Sequence, residues 1–165
     1  MAFKSVNEIE KFDYKDCEIT SFVLDENEIR MELKALIIAP ENSQNERSQR
    51  SYADTVRLTL KDAILEKGIK EGFKYYDADG NLKETVPEKI LSEQELKTFK
   101  FIAETSYLYD FQKIDEAEGR FRYALGIERK PENPQDLAEI TDTYQLRVSF
   151  TEAEFCWDRY MSKAE

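Results

Sequence analysis

The sequence predicts a mainly β protein, an antiparallel β-sandwich or barrel of pseudo-twofold character with one short helix in the middle. Three observations predict it. Apolar and polar residues alternate with a period of two along much of the chain, turn-forming residues punctuate those runs, and one strand–turn–strand–loop–strand pattern occurs twice.

Taken in order, Ile19–Asp25 (ITSFVLD) and Glu28–Ile38 (EIRMELKALII) flank the turn Asp25–Glu26–Asn27–Glu28 and read as a hairpin. In the second arm Ile29, Met31, Leu33, Ala35 and Ile37 share a face, with Arg30, Glu32 and Lys34 opposite, as an antiparallel strand with one buried side requires. The polar stretch 40–51 (PENSQNERSQRS) has no apolar anchor and is expected to form a long, mobile surface loop. Alternation resumes at Thr55–Leu60. Within 63–76, Gly68 and Gly72 would each cost a helix about 1 kcal/mol, which favours a bulged or bent strand.

Asp79–Gly80 between Lys74–Tyr76 and Leu82–Lys83 signals a tight hairpin. A short helix is expected around Val86–Leu96, with Pro87 in its first turn and Ser92 and Glu95 at capping-box spacing. From Phe99 to Phe111 apolar residues fall mostly on odd positions, which favours a strand from about Ser106. A helical reading of Leu96, Phe99, Ile102 and Ala103 stays open. Arg120–Arg129 and Tyr144–Phe150 add two strands, and Glu154–Met161 is a last strand or a helical turn. Seven to nine strands are expected in all.

The repeated pattern covers 17–65 and 106–156, joined by 66–105 within a single domain, 1–165. Asp25 matches Asp115, Ile29 matches Phe121, Pro40 matches Pro131 and Leu60 matches Phe150; PEN-S-Q at 40–44 answers PEN-P-Q at 131–135. This points to an internal duplication in which each module leaves an apolar face for the other to cover. A sandwich and a closed barrel both solve that problem. The loops 40–51 and 129–142 become equivalent, natural places for recognition.

The chain carries 35 acidic against 24 basic residues, a net charge of −11, and this acid excess lies mostly towards its two ends. Such a surface repels nucleic acid and anionic membranes and suits a basic protein partner. The N-terminus lacks the pattern of a secretory signal, no apolar run is long enough to span a bilayer, and the two cysteines, Cys17 and Cys156, form no metal or CxxC spacing. A cytoplasmic location is the expectation.

There is no histidine, which removes Ser-His-Asp and Cys-His catalysis and His-ligated metals. No phosphate-binding or dinucleotide glycine motif is present either, so no cofactor is expected. Asp77, Asp79 and Asn81, with Glu88 in the twelfth place, have a partial calcium-loop pattern, but the glycine is misplaced and a hairpin tip explains them more simply. The aromatics Tyr107, Tyr109, Phe111, Phe121 and Tyr123 are expected to pack across neighbouring strands.

The leading functional expectation is a non-catalytic protein-interaction module, of inhibitor, immunity or assembly type. A carrier with an aromatic-lined cavity for an apolar ligand is the first alternative. The second is a carboxylate-based hydrolase using acids near Trp157. The candidate binding residues are Asn42, Gln44, Arg47, Asn133, Gln135, Glu152, Glu154, Trp157 and Asp158.

Overall fold

The computed structural model describes residues 2–133, 135 and 141–164. Its framework is an antiparallel sheet in which alternation places one side of each strand on a common core. The first half comprises β1 (Phe3–Val6), β2 (Phe12–Asp13), β3 (Glu18–Leu24), β4 (Glu28–Lys34), β5 (Ile37–Ile38), β6 (Ser51–Ala53), β7 (Val56–Lys61) and β8 (Ile64–Lys70). β9 (Phe73–Tyr76), β10 (Leu82–Val86) and β11 (Lys89–Ile90) lead to α1 (Glu93–Lys97) and α2 (Lys100–Ala103). β12 (Ser106–Ala117), β13 (Arg120–Arg129), β14 (Thr143–Phe150), β15 (Glu152–Trp157) and β16 (Tyr160–Lys163) complete the chain.

The main sheet runs β1-β15-β7-β4-β3-β12-β13-β14-β8-β11. Its end strands β1 and β11 do not pair, so the sheet is open rather than a closed barrel. At its centre β3 and β12 share one register pair, Glu18 with Tyr107, and the Leu108 amide donates to the Cys17 carbonyl at 2.9 Å. β7 lies in one half-sheet, but β8, which follows it at once, pairs with β14 in the other. β14 is followed by β15, which returns to pair with β7. When β3, β4, β7 and β8 are matched with β12, β13, β14 and β15, the order from β15 to β8 reads the same from either end.

Both halves feed one core. Ile19, Phe22, Leu33, Leu58 and Leu60 come from the first meander, and Leu108, Leu125, Ile127, Leu146 and Phe150 from the second. α2 closes one end of it. Phe99, at the start of that helix, meets Phe22 edge-on at 5.8 Å and Tyr144 at 5.4 Å. A small four-stranded sheet, β16-β6-β5-β2, packs on the same core, where Phe12 stacks on Phe155 at 4.2 Å.

The expected 28–38 strand is broken. β4 stops at Lys34, and Ala35, at φ 60°, turns the chain so that Leu36, Ile37 and Ile38 are all buried in the next element. Instead of 86–96, the helix occupies 93–97, because Val86 and Lys89–Ile90 are taken into strands. The capping box is made as expected: Ser92 Oγ accepts from the Glu95 amide and Glu95 Oε1 from the Ser92 amide. A second short helix, α2, follows it. Gly68 lies within β8, where a Cβ would stand 2.6 Å from Leu96 Cδ2 of α1, so its role is close packing.

The strand expected from about Ser106 begins at Ser106, but its phase slips. A bulge between Leu108 and Asp110 turns Leu108 and Phe111 inward and leaves Tyr107 and Tyr109 outside. Of the five aromatics expected to pack together, Phe111, Tyr123 and Phe121 do so around Phe150, whereas Tyr107 and Tyr109 lie on the outer face, half-buried and exposed respectively. Glu118 and Gly119, both at positive φ, make the tight β12–β13 turn. No described helix is long and apolar enough to cross a membrane.

Candidate functional site

The loop 40–51 is fastened down by polar groups rather than apolar ones. Asn42 is 3% exposed; its Nδ2 donates to Ser5 Oγ at 3.2 Å and to the Lys11 carbonyl at 3.3 Å, and its Oδ1 accepts the Gln44 amide at 3.0 Å. Asn45 Nδ2 reaches the carbonyls of Ile38, Ala39 and Gln49. Glu8 holds the loop from β1's side, accepting the amide and hydroxyl of Ser43 and the hydroxyl of Ser5. Burial pushes the Glu8 carboxyl up, but these bonds outweigh it and its pKa is lowered.

Gln44 and Arg47 sit at the loop's rim beside β16. The Tyr160 hydroxyl donates to the Gln44 carbonyl, and Arg47 Nη1 donates to the Met161 carbonyl at 2.8 Å with its guanidinium 5.2 Å from the Tyr160 ring centre. In the loop 129–142, Asn133 Oδ1 accepts the Gln135 amide at 3.1 Å, the same local turn that Asn42 and Gln44 make. Residues 134 and 136–140 of that loop lie outside the described residues.

The acids of β15 and the tryptophan are on opposite faces. Glu152 and Glu154 point outward, while Trp157 has no exposed surface and stacks on Phe3 with centroids 5.6 Å apart. Lys61 of β7 bridges Glu152 at 2.9 Å and Glu154 at 3.0 Å, and Lys4 of β1 adds a contact to Glu154 at 3.2 Å. Cys156 Sγ also donates to Glu154. Lys61 is the main reason the Glu154 carboxyl titrates below its ordinary range, helped by Lys4 and Cys156 against partial burial. A glycosidase acid needs the reverse shift. Asp158 is exposed, in a shallow depression with Asp54, Thr55 and Arg57. The nine candidates therefore fall into four places: the 40–51 knot, the 133–135 turn, the two faces of β15 and, just beyond that strand, the depression that holds Asp158.

At the β9–β10 hairpin the sequence offers a partial calcium-loop pattern and a hairpin tip, but no binding role for its aromatic residues. The hairpin forms a two-stranded sheet of its own, Phe73 opposite Val86 and Tyr76 opposite Leu82, apart from the main sheet. Asp77 Oδ1 accepts the amides of Asp79 and Asn81 at 2.9 Å, so the aspartate that began the calcium-like pattern builds the tip. Tyr75, Tyr76 and Leu82 are 37%, 59% and 53% exposed, which leaves large apolar groups on an arm that buries little of its own. The available signal was the adjacent pair Tyr75–Tyr76: in a strand one side chain of such a pair normally turns to a core, and here neither does.

No protein-family model matches the chain, and neither the curated proteins nor the solved structures give a match.

Proposed function

We propose that this protein is a non-catalytic, acidic interaction module that docks on a basic protein, with the β9–β10 hairpin as its contact arm. The observation that carries this reading is the arm itself. A two-stranded hairpin is marginal alone in water, yet this one holds Tyr75, Tyr76 and Leu82 exposed on strands that, among the described residues, pair only with each other. Aromatic groups of this kind anchor protein interfaces. The net charge of −11 supplies the complement to a basic partner and raises its rate of encounter. An inhibitor- or immunity-type complex is one form this would take, and assembly into a larger particle is another. Free, buried Cys17 and Cys156 accord with a cytoplasmic setting.

The alternatives have less support. Rings that an apolar ligand would need are packed on one another, Tyr123 on Phe150 at 5.4 Å and Phe111 on Tyr123 at 5.2 Å. The best-placed acids, Glu152 and Glu154, are tied to one lysine. As part of the same reading, we take 17–65 and 106–156 to be two copies of one module. The matched strand order and the shared Asn-to-Gln turn support this.

The test compares the intact chain with a shaved arm, Tyr75→Ser/Tyr76→Ser/Leu82→Ser, as baits in a cell extract. A basic protein retained by the intact chain at low salt, lost at about 0.5 M salt and not held by the shaved arm is the expected result. Equal retention by the two baits, or retention indifferent to salt, would overturn the reading.

A further inference from the structure

On the outer face of the central strands, Tyr107 stands between two carboxylates in one row. It is the register partner of Glu18 on β3 and of Glu128 on β13. The row forms the floor of an open depression of about 340 Å³, lined also by Lys15, Asp16 and Tyr109. Tyr109 is there because of the bulge: as the extra residue of β12 it has no register partner, and its ring lies over Gly126 of β13. A Cβ at position 126 would stand 2.8 Å from Tyr109 Cζ and 2.9 Å from Asp110 Cβ, so glycine is what lets both side chains settle. Tyr109 stays 40% exposed.

The chain already shows what this surface does with a cation. Lys130 places its ammonium 5.6 Å from the Tyr107 ring centre and pairs with Glu18. Tyr107 is thus occupied from within by a ring-plus-carboxylate contact. Tyr109 beside it presents a second ring in the same depression as Glu128, whose Oε1 accepts the Thr141 hydroxyl at 3.1 Å. Burial raises the Tyr109 hydroxyl's pKa, and the carboxylates of Glu71, Asp110 and Glu128 raise it further, the mark of a negative field around the ring.

We propose that this depression is a receptor for one basic side chain, arginine by preference, presented by a protein partner, with its head over Tyr109 and its charge against Glu128. Arginine fits because its flat guanidinium stacks on a tyrosine while donating to a carboxylate at the edge. The inference names the partner's chemistry within the basic-partner reading, but it uses a face separate from the hairpin.

The experiment titrates a fluorescein-labelled peptide with four arginines spaced by Gly-Ser into the intact chain and into variants, read by fluorescence anisotropy. Tyr109→Ala, which leaves the net charge alone, should weaken binding by about fivefold or more, and Gly126→Ala should do the same by displacing the ring. Glu128→Gln should weaken it, while Glu26→Gln, an equal charge change on the exposed β3–β4 turn, should not. A lysine version of the peptide should bind more weakly than the arginine one. Thermal melts of every variant report that the fold is kept. Unchanged affinity in folded Tyr109→Ala, or equal losses in Glu128→Gln and Glu26→Gln, would overturn the proposal and leave only diffuse charge attraction. Peptide binding that depends on Tyr109, with no protein captured through the hairpin, would sink the arm reading and leave this site standing; the opposite pattern would do the reverse.

Discussion

Replacing Asn42 with alanine tests whether polar groups hold the 40–51 loop. The side chain makes three hydrogen bonds, to Ser5 Oγ, the Lys11 carbonyl and the Gln44 amide. A neutral bond is worth about 1 kcal/mol net. Two of the groups left behind keep other partners: the Lys11 carbonyl still accepts the Ala39 amide, and Ser5 still donates to Glu8. No heavy penalty for abandoned groups is therefore added, and the loss should be about 2 kcal/mol. For a chain of this size that corresponds to a fall in Tm of about 4–8 °C. The assay is urea and thermal unfolding followed by the fluorescence of Trp157, the single tryptophan, whose side chain is fully enclosed. A change below about 0.5 kcal/mol, the range of ordinary surface substitutions, would refute the reasoning and return the loop to an unfastened state.

Acid should loosen the α1 cap. Lys89, with the Ser92 amide, holds Glu95 down to about 2 against its ordinary 4.5, so the stability it adds is complete above about 4.5 and is lost as the pH falls towards 2. Glu95→Gln should flatten that limb of a Tm-against-pH curve, and an unchanged slope would count against it. Lys61→Met should raise the Glu154 carboxyl towards its ordinary range, since Lys61 is the principal group holding it down. Carbon-detected NMR titration of the glutamate side chains reads this directly.

What the chain made legible was whatever is written locally. The alternation of 29–33, the onset of β12 at Ser106, the Asp79–Gly80 tip and the Ser92/Glu95 cap each depend on residues a few places apart. Positive φ at Ala35 was not legible, because alanine gives no sign of it and the turn serves the burial of Leu36 and Ile37. The phase slip at 108–110 was hidden because a bulge leaves composition untouched and changes only which residues face inward. The acids of β15 were legible as candidates but not as paired ones, since their counter-charges, Lys61 and Lys4, come from strands distant in sequence. Asn42 was legible as a candidate but not as a buried one, since only the fold brings Ser5 and Lys11 against it.

The crossing of β8 and β15 between the half-sheets makes the molecule a clasp. β8 follows the first meander in sequence but pairs with the second, and β15 ends the second but pairs with the first. A protease that cuts at the hairpin tip near Gly80 would leave two pieces, each with a strand locked inside the other's sheet, and they would separate only on unfolding. On the ribosome the same wiring delays completion: β7 waits for β15, and β1 has no neighbour in the main sheet until β15 emerges. The main sheet is therefore completed only after residues 152–157 have been made.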